Sequence, residues 1–502
     1  MTATELPASA RRWTLVATIL GSSLTFIDAT VVNVALAALQ RDLNATITDV
    51  QWVIETYALF LGALILVGGS LGDQFGRRRV FLAGVWVFTF SSIACGLAGS
   101  TRALVIARAV QGVGAAFLVP GSLAIISATF DDQERGAAIG TWSGFSAMTS
   151  AIGPVLGGWL IEHVSWRAVF FLNVPLAALV IVLSLRFMNE SRDSSRSLRV
   201  DWAGATLAVL GLGAVVYALL EWPRGVSRND VMVAVAAGGA ISLVALIVVE
   251  SRVSNPMLPL GLFRSRTFTL ANVFTLLLYG ALATVLWLVP LNLIQVHHYS
   301  ATEAGAALLP FSLLMLSLSR WSGGLVHRVG SRMPLAAGAI IAACGLALFA
   351  RPGMAGSYWT TVFPAVFVLA LGMALLVAPL TTTVMSAVEA QHSGVASGVN
   401  NAVSRVAGLI AIAVFGIVLV RTFDARVRIA LDRLELPQPA RAAIDQQLPK
   451  LAGAEVSPTI GRRQAVAIRQ AVDESFLSAF AVVMLSAAGL AIAAALVAVF
   501  IR

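Results

Sequence analysis

Apolar runs of about twenty residues, separated by short polar turns, follow one another almost end to end from Trp13 to Phe500. A helix needs roughly that length to cross about 30 Å of hydrocarbon. The pattern predicts membrane-spanning helices near 13–38, 50–70, 79–99, 103–127, 136–161 and 167–186, then two near 202–220 and 231–250. Six more are expected near 267–291, 302–325, 334–350, 358–384, 396–421 and 474–501. The fold class is therefore an all-α polytopic membrane protein of about fourteen helices. Short strands of alternating polarity are missing from the pattern, which excludes a membrane β-barrel. The polar stretch from Arg186 to Asp201 sets the expected division: 1–186 a six-helix bundle, 187–266 two inserted helices with their loops, and 267–502 a second six-helix bundle.

The turn Gly68 to Val80, GGSLGDQFGRRRV, is a short charged wedge between two apolar runs. Its glycines allow a tight turn, and its three consecutive arginines are costly in hydrocarbon. Arginines crowd the loops on this same side, which places the turn and both chain termini in the cytoplasm. An imperfect copy follows in the second half. Gly323 to Arg332 aligns on Gly69 to Arg78 with His327 where Asp73 stands, and Gln391 to Gly398 aligns on Gln133 to Gly140. Such duplication is common in alternating-access transporters. Between the last two expected helices, 421–473 carries short amphipathic patterns such as Phe423, Val427, Leu431 and Leu434. Two readings stay open, a solvated helical hairpin or a cap on the outer leaflet near the exit.

Composition narrows the function. The 502-residue chain is 58% hydrophobic and 12% charged, with a mean hydropathy of +0.87, far outside the soluble range. A net charge of +9 comes from arginines spread over many loops, without a basic block interleaved with aromatics, so no nucleic-acid partner is expected. Cys95 and Cys344 both lie inside apolar runs and read as packing residues. No phosphate-binding loop, metal-ligand spacing or nucleophile triad is visible, and neither an enzyme nor a cofactor or metal is expected.

The turn Gly69-Ser70-Leu71-Gly72-Asp73-Gln74-Phe75-Gly76-Arg77-Arg78 resembles the signature between helices 2 and 3 of the major facilitator superfamily. Further segments resemble its fourteen-helix drug/proton antiporter branch, the EmrB/QacA type. They are Asp28 to Leu36 in the first helix, Gln51-Trp52-Val53 with Tyr57 in the second, and Arg108 to Gly114 in the fourth. Gly153-Pro154-Val155-Leu156-Gly157-Gly158 in the fifth matches the antiporter motif, followed by Trp166-Arg167, Asn173-Val174-Pro175 and, late in the chain, Asn400-Asn401 with Arg405. Three positions depart from the family pattern: Ala37 replaces a usual proline, Gln74 a frequent basic residue, and Glu55 a small hydroxyl residue.

The resemblance implies two helical bundles around a central cavity lined by the first and fourth helices. Charged side chains within the bilayer cost about 2.5–3.5 kcal/mol, so those retained call for a partner or an aqueous cavity. Asp28, Glu55 and Arg108 fall at similar depth, and Asp28, Glu55 or both are expected to exchange protons with Arg108 tuning them; a static ion pair is the alternative. Gating is expected of Gly69, Asp73, Gly76, Arg77 and Arg78, of Gly153, Pro154, Gly157 and Gly158, and of Arg405, whereas Arg320 lies near a helix end and snorkels. Candidate cavity residues are Phe26, Asn33, Tyr57, Gln111, Trp142, Phe145, Met148, Tyr279, Trp287, Asn400 and Asn401. The expected function is proton-coupled efflux of amphipathic or cationic organic compounds across the cytoplasmic membrane, by a monomer in the lipid bilayer. The alternatives are a dedicated exporter of one metabolite, antibiotic or lipid, and a non-transporting receptor or scaffold.

Overall fold

The computed structural model describes residues 7–501, apart from 193–200, 222–228, 254, 255, 257, 324–328, 352–356, 389–392, 435 and 457–459. The repeat turn around His327 lies outside the described residues. Among those described, the chain is helical without a strand. The first half comprises α1 (Ala8–Asp42), α2 (Ile47–Phe75), α3 (Arg77–Gly96), α4 (Thr101–Thr129), α5 (Asp132–His163), α6 (Trp166–Phe171) and α7 (Asn173–Phe187). Then come α8 (Trp202–Glu221) and α9 (Asn229–Glu250). The second half holds α10 (Arg266–Gln295), α11 (Ala301–Ala306), α12 (Leu309–Gly323), α13 (Arg332–Phe349), α14 (Tyr358–Thr361), α15 (Phe363–Ser386), α16 (Ser393–Asp432), α17 (Gln438–Asp445) and α18 (Arg462–Ala498).

Thirteen helical spans among the described residues are long and apolar enough to cross a membrane, the broken helix Trp166–Phe187 counting as one. The expected count of fourteen is not confirmed. The remaining expected span corresponds to α5, a 32-residue helix in the expected place. Local chemistry explains several shifted boundaries. α2 starts at Ile47 rather than near 50 because Thr46 and Asp49 form a capping box that satisfies two backbone donors. Spans expected as single helices are broken at Leu172 and Val362, and α11 is separated from α12.

Packing is densest between neighbours in the first half, α1 with α5 and α7, and α4 with α2 and α3. In the second half α13 packs on α15 and α18, and α10 on α16 and α18. Contacts between the halves run along α1 to α10, α2 to α16 and α5 to α11 and α12. α8 and α9 pair with one another, and α8 alone leans on α2 and α16, with Trp52 Nε1 donating to Glu221 at 2.9 Å. α9 leaves Ile241, Val244 and Ile247 exposed, as a helix facing lipid does.

The largest correction concerns 421–473. α16 does not stop near 421; its 40 residues make a rod of about 60 Å, about twice the hydrocarbon thickness. α18 likewise begins at Arg462 rather than 474. Charged residues ended the apolar pattern but not the helix, because Phe423, Val427 and Leu431 at i, i+4 and i+8 make a stripe buried in the same core as Ile468, Val472, Ile444 and Leu451. The segment is a folded helical cap. Two ends of the molecule can thus be named: the turn end, at Gly76, and the cap end, where residues 42–47 meet the cap.

Candidate functional site

Asp28 on α1 is buried, 1% exposed, among polar side chains from three other helices. Arg108 Nη1 on α4 donates to Asp28 Oδ2 as a buried ion pair. The same Nη1 reaches Gln111 Oε1 at 2.7 Å, and Gln111 Nε2 donates back to Asp28 Oδ1 at 2.8 Å. From α7, Asn173 Nδ2 donates to Asp28 Oδ1 at 3.3 Å and to Ser92 Oγ at 2.9 Å. Arg108 Nε donates to the Val53 carbonyl at 3.1 Å, and its guanidinium lies 4.1 Å from the centre of the Tyr57 ring. Every charge here has its partners, the condition under which a buried ion pair is tolerated. Arg108 and Gln111 meet Asp28 together because they are three apart on one face of α4.

Glu55 is not part of this cluster. It is equally buried, yet neither carboxylate oxygen has a hydrogen-bond partner among the described residues. Its helix face is turned to α16: Gln51, one turn earlier, donates to the Ile412 carbonyl at 3.2 Å, and a Cβ on Gly62, two turns later, would lie 3.4 Å from Arg405 Cβ. Glu55 therefore sits on the seam between the halves. Arg405 is on the same seam, and its buried Nε has no hydrogen-bond partner among the described residues either.

Several residues expected to line a cavity are used in packing instead. Tyr57 and Gln111 belong to the Asp28 cluster, and Trp287 is 0% exposed in the second half's core. Trp142 Nε1 donates to Ser22 Oγ at 2.9 Å while Phe26 packs edge-on against its ring. Asn400 Nδ2 donates to Asn272 Oδ1 and Thr275 Oγ1 at 3.1 and 2.7 Å. Phe145, Met148 and Asn401 are exposed, and Asn33 and Tyr279 are half-buried. Of Arg320 the side chain lies outside the described residues.

The α5 motif closes the cap end. Gly153 and Gly157 press on α1, where an added Cβ would meet Thr30 Oγ1 at 2.2 Å and Val31 Cγ1 at 2.4 Å. Gly158 and Pro154 touch the other half: a Cβ on Gly158 would fall 2.3 Å from the Ala301 oxygen, and one on Gly305 2.1 Å from the Pro154 oxygen. Nothing larger than hydrogen fits at these positions. Gln295 Nε2 donates to Gln40 Oε1 at 2.6 Å, a further bond between halves. The Thr302 hydroxyl donates to Glu162 Oε2 at 2.5 Å, another.

At the turn end, Gly76 adopts φ +111°, open to glycine at little cost. Asp73 pairs with Arg77 at 2.8 Å, Arg77 Nη1 reaches the Ala124 carbonyl at 3.4 Å, and Arg78 Nη2 the Leu185 carbonyl at 3.2 Å. These cations meet the carbonyl-rich C-terminal ends of α4 and α7, where positive charge is favoured. Gly69 lies against Pro120. Sequence reasoning missed Glu190, whose Oε1 accepts from the Arg78 backbone N–H at 3.1 Å. It also missed Ser92 and the role of Asn173; a lone polar residue opening an apolar helix was the available signal. Among the described residues no group of three His, Cys, Asp or Glu side chains is placed to hold a metal.

The sequence signature of the Major Facilitator Superfamily matches residues 18–412. The chain is 35% identical to the multidrug resistance protein Stp of Mycobacterium tuberculosis, over 94% of this chain and 89% of that one. It is 31% identical to the tetracenomycin C resistance and export protein of Streptomyces glaucescens, over 99% and 93%. Its fold matches a bacterial homologue of the human lysosomal transporter Spinster, solved inward-facing and unoccupied, with a TM-score of 0.64 at 19% identity over 99% of both chains. Helical architecture, matched span and relatives agree: the chain belongs to the major facilitator superfamily and is a multi-pass membrane transporter.

Proposed function

We propose that this transporter is a proton-driven exporter of amphipathic organic compounds, with residues 1–186 and 267–502 as the two bundles that rock against each other. The turn end and both termini face the cytoplasm, and the cap end faces outside. A monomer in the cytoplasmic membrane carries out the cycle. The observation that carries the reading is the Asp28–Arg108 pair, buried inside a membrane bundle and held by Gln111 and Asn173. A buried ion pair is stable only while both members are charged and in contact. Protonating Asp28 removes the attraction and frees Arg108 toward Val53 and Gln111, which changes the packing of α1 on α4.

The energies match. Opening the cap end breaks the Gln40–Gln295, Thr302–Glu162 and Gln51–Ile412 hydrogen bonds. At about 1 kcal/mol net each, that is about 3 kcal/mol. One proton moving inward supplies about 2.3 kcal/mol per 100 mV, before any pH gradient. Gly153, Pro154, Gly157 and Gly158 form the seal that these bonds complete, and the Asp73–Arg77–Arg78 turn with Gly69 and Gly76 holds α2, α4 and α7 together at the opposite end. Asp28's carboxylate is spent on Arg108, so a cationic substrate would be met by Glu55, whose carboxylate has no partner among the described residues. The relatives named for multidrug and single-antibiotic resistance support either broad or dedicated export.

The test is uptake into inverted vesicles under an imposed pH gradient, screened over cationic dyes, neutral drugs and lipids. Gradient-dependent uptake by the native protein and its loss in Asp28→Asn are expected. Transport of no compound responding to the gradient would end the antiport reading.

A further inference from the structure

At the cap end, the ends of α1, α5 and α10 and the cap segment 450–456 line an open cavity of about 1370 Å³, large enough to take a drug-sized molecule. It is separated from the Asp28 cluster by the closed seam at Gly158 and Gly305. The cavity is a built feature: Leu451 and Ala452 are buried in the core, and Arg469 ties the cap to α10 by donating to the Ala454 and Gln295 carbonyls. Basic side chains outnumber acidic ones on its wall. Arg167 and Arg469 are spent on Asp42 and Asp473. Arg41, Lys450 and Arg462 have no carboxylate partner among the described residues; two acids on the wall, Glu162, which accepts from the Thr302 hydroxyl, and Glu455, keep their charge, so the cations exceed them by one.

The floor is the Gln40–Gln295 bond, and it is half used. Gln40 Nε2 and Gln295 Oε1 are buried without a partner among the described residues, so one donor and one acceptor stand ready at the point where the halves part. A molecule leaving through this end meets first a donor–acceptor amide pair and then a wall on which cations outnumber acids.

We propose that this vestibule is a release-side binding site for an amphipathic organic acid, its acidic group held by Arg41, Lys450 and Arg462 and its oxygen-bearing frame over Gln40 and Gln295. The release-side assignment rests on the export reading above; the binding itself does not. An excess of cations on a cavity lined by low-dielectric walls raises the local concentration of anions, and salt weakens the effect.

The experiment is equilibrium binding of carboxyfluorescein, an anionic amphipathic dye, to the full-length protein in nanodiscs, read by fluorescence anisotropy without any gradient. Saturable binding weakened by salt is expected, with Kd raised about tenfold in the Arg41→Gln, Lys450→Gln, Arg462→Gln triple variant. Glu455→Gln is expected to lower Kd about twofold by removing the facing acid, a gain that misfolding cannot produce. No saturable binding to the native protein, an unchanged Kd in a folded triple variant, or a Kd in Glu455→Gln that fails to fall would each overturn the site. Binding that survives in a protein whose transport ignores the pH gradient would leave the site standing and remove the antiport reading; gradient-driven transport without dye binding would do the reverse.

Discussion

Asp28 and Glu55 are both carboxylates in membrane helices, and both are 1% exposed, yet they live in opposite circumstances. Asp28 accepts from Arg108, Gln111 and Asn173 inside the first half, whereas Glu55, on the seam against α16, accepts from none of the described residues. The difference teaches what burial alone conceals. A carboxylate inside one half parts from its cation only when it is protonated, while one on a sliding surface meets water whenever that surface opens. Asp28 suits coupling through its ion pair; Glu55 suits sensing whether the seam is shut.

The sharpest way to break the comparison is Arg108→Met, which leaves Asp28 buried without its cation and is expected to cost about 3–5 kcal/mol. Thermal unfolding in detergent measures this, and adding Asp28→Asn is expected to recover much of the loss; no recovery would mean that the pair is not the unit. Asp28→Asn alone is expected to reduce gradient-driven transport to background and, because it leaves Arg108 buried without its counter-charge, to cost about 3–5 kcal/mol of stability as well. Gly158→Val, whose side chain collides with the Ala301 carbonyl, is expected to wedge the seam open. A water-soluble carbodiimide should then label Glu55 but not Asp28, and equal labelling of both would erase the distinction. Asn173→Ala removes one of three donors to Asp28 and is expected to cost about 1 kcal/mol. Glu55→Gln breaks no hydrogen bond, so its stability is expected to stay within about 1 kcal/mol of the native protein. A loss as large as that of Asp28→Asn would reveal a partner in the folded state.

The order of helices was legible because a membrane demands long apolar runs, and so was the meeting of Asp28 with Arg108, since two opposite charges at one depth have few other ways to be accommodated. What stayed hidden was decided between helices. Nothing in the chain near Glu55 says that α2 turns that face to α16 rather than to α4. Likewise Trp287 and Gln111 carry the composition of a binding surface, and only packing shows that they are spent elsewhere. The charges after Arg421 end the membrane pattern, yet the Phe423–Val427–Leu431 stripe continues the helix because the cap supplies a second apolar surface.

The unbroken length of α16 has a mechanical consequence. One rod passes from Asn400 through the seam beside Glu55 and Arg405 and ends in the cap at Asp432. Tilting a rod of about 60 Å by about 10° displaces its tip by about 10 Å. Motion near the membrane centre is thereby geared up into a displacement large enough for a single dye pair, one on the cap and one on the end of α3, to record each stroke of the transporter without a label in its pathway.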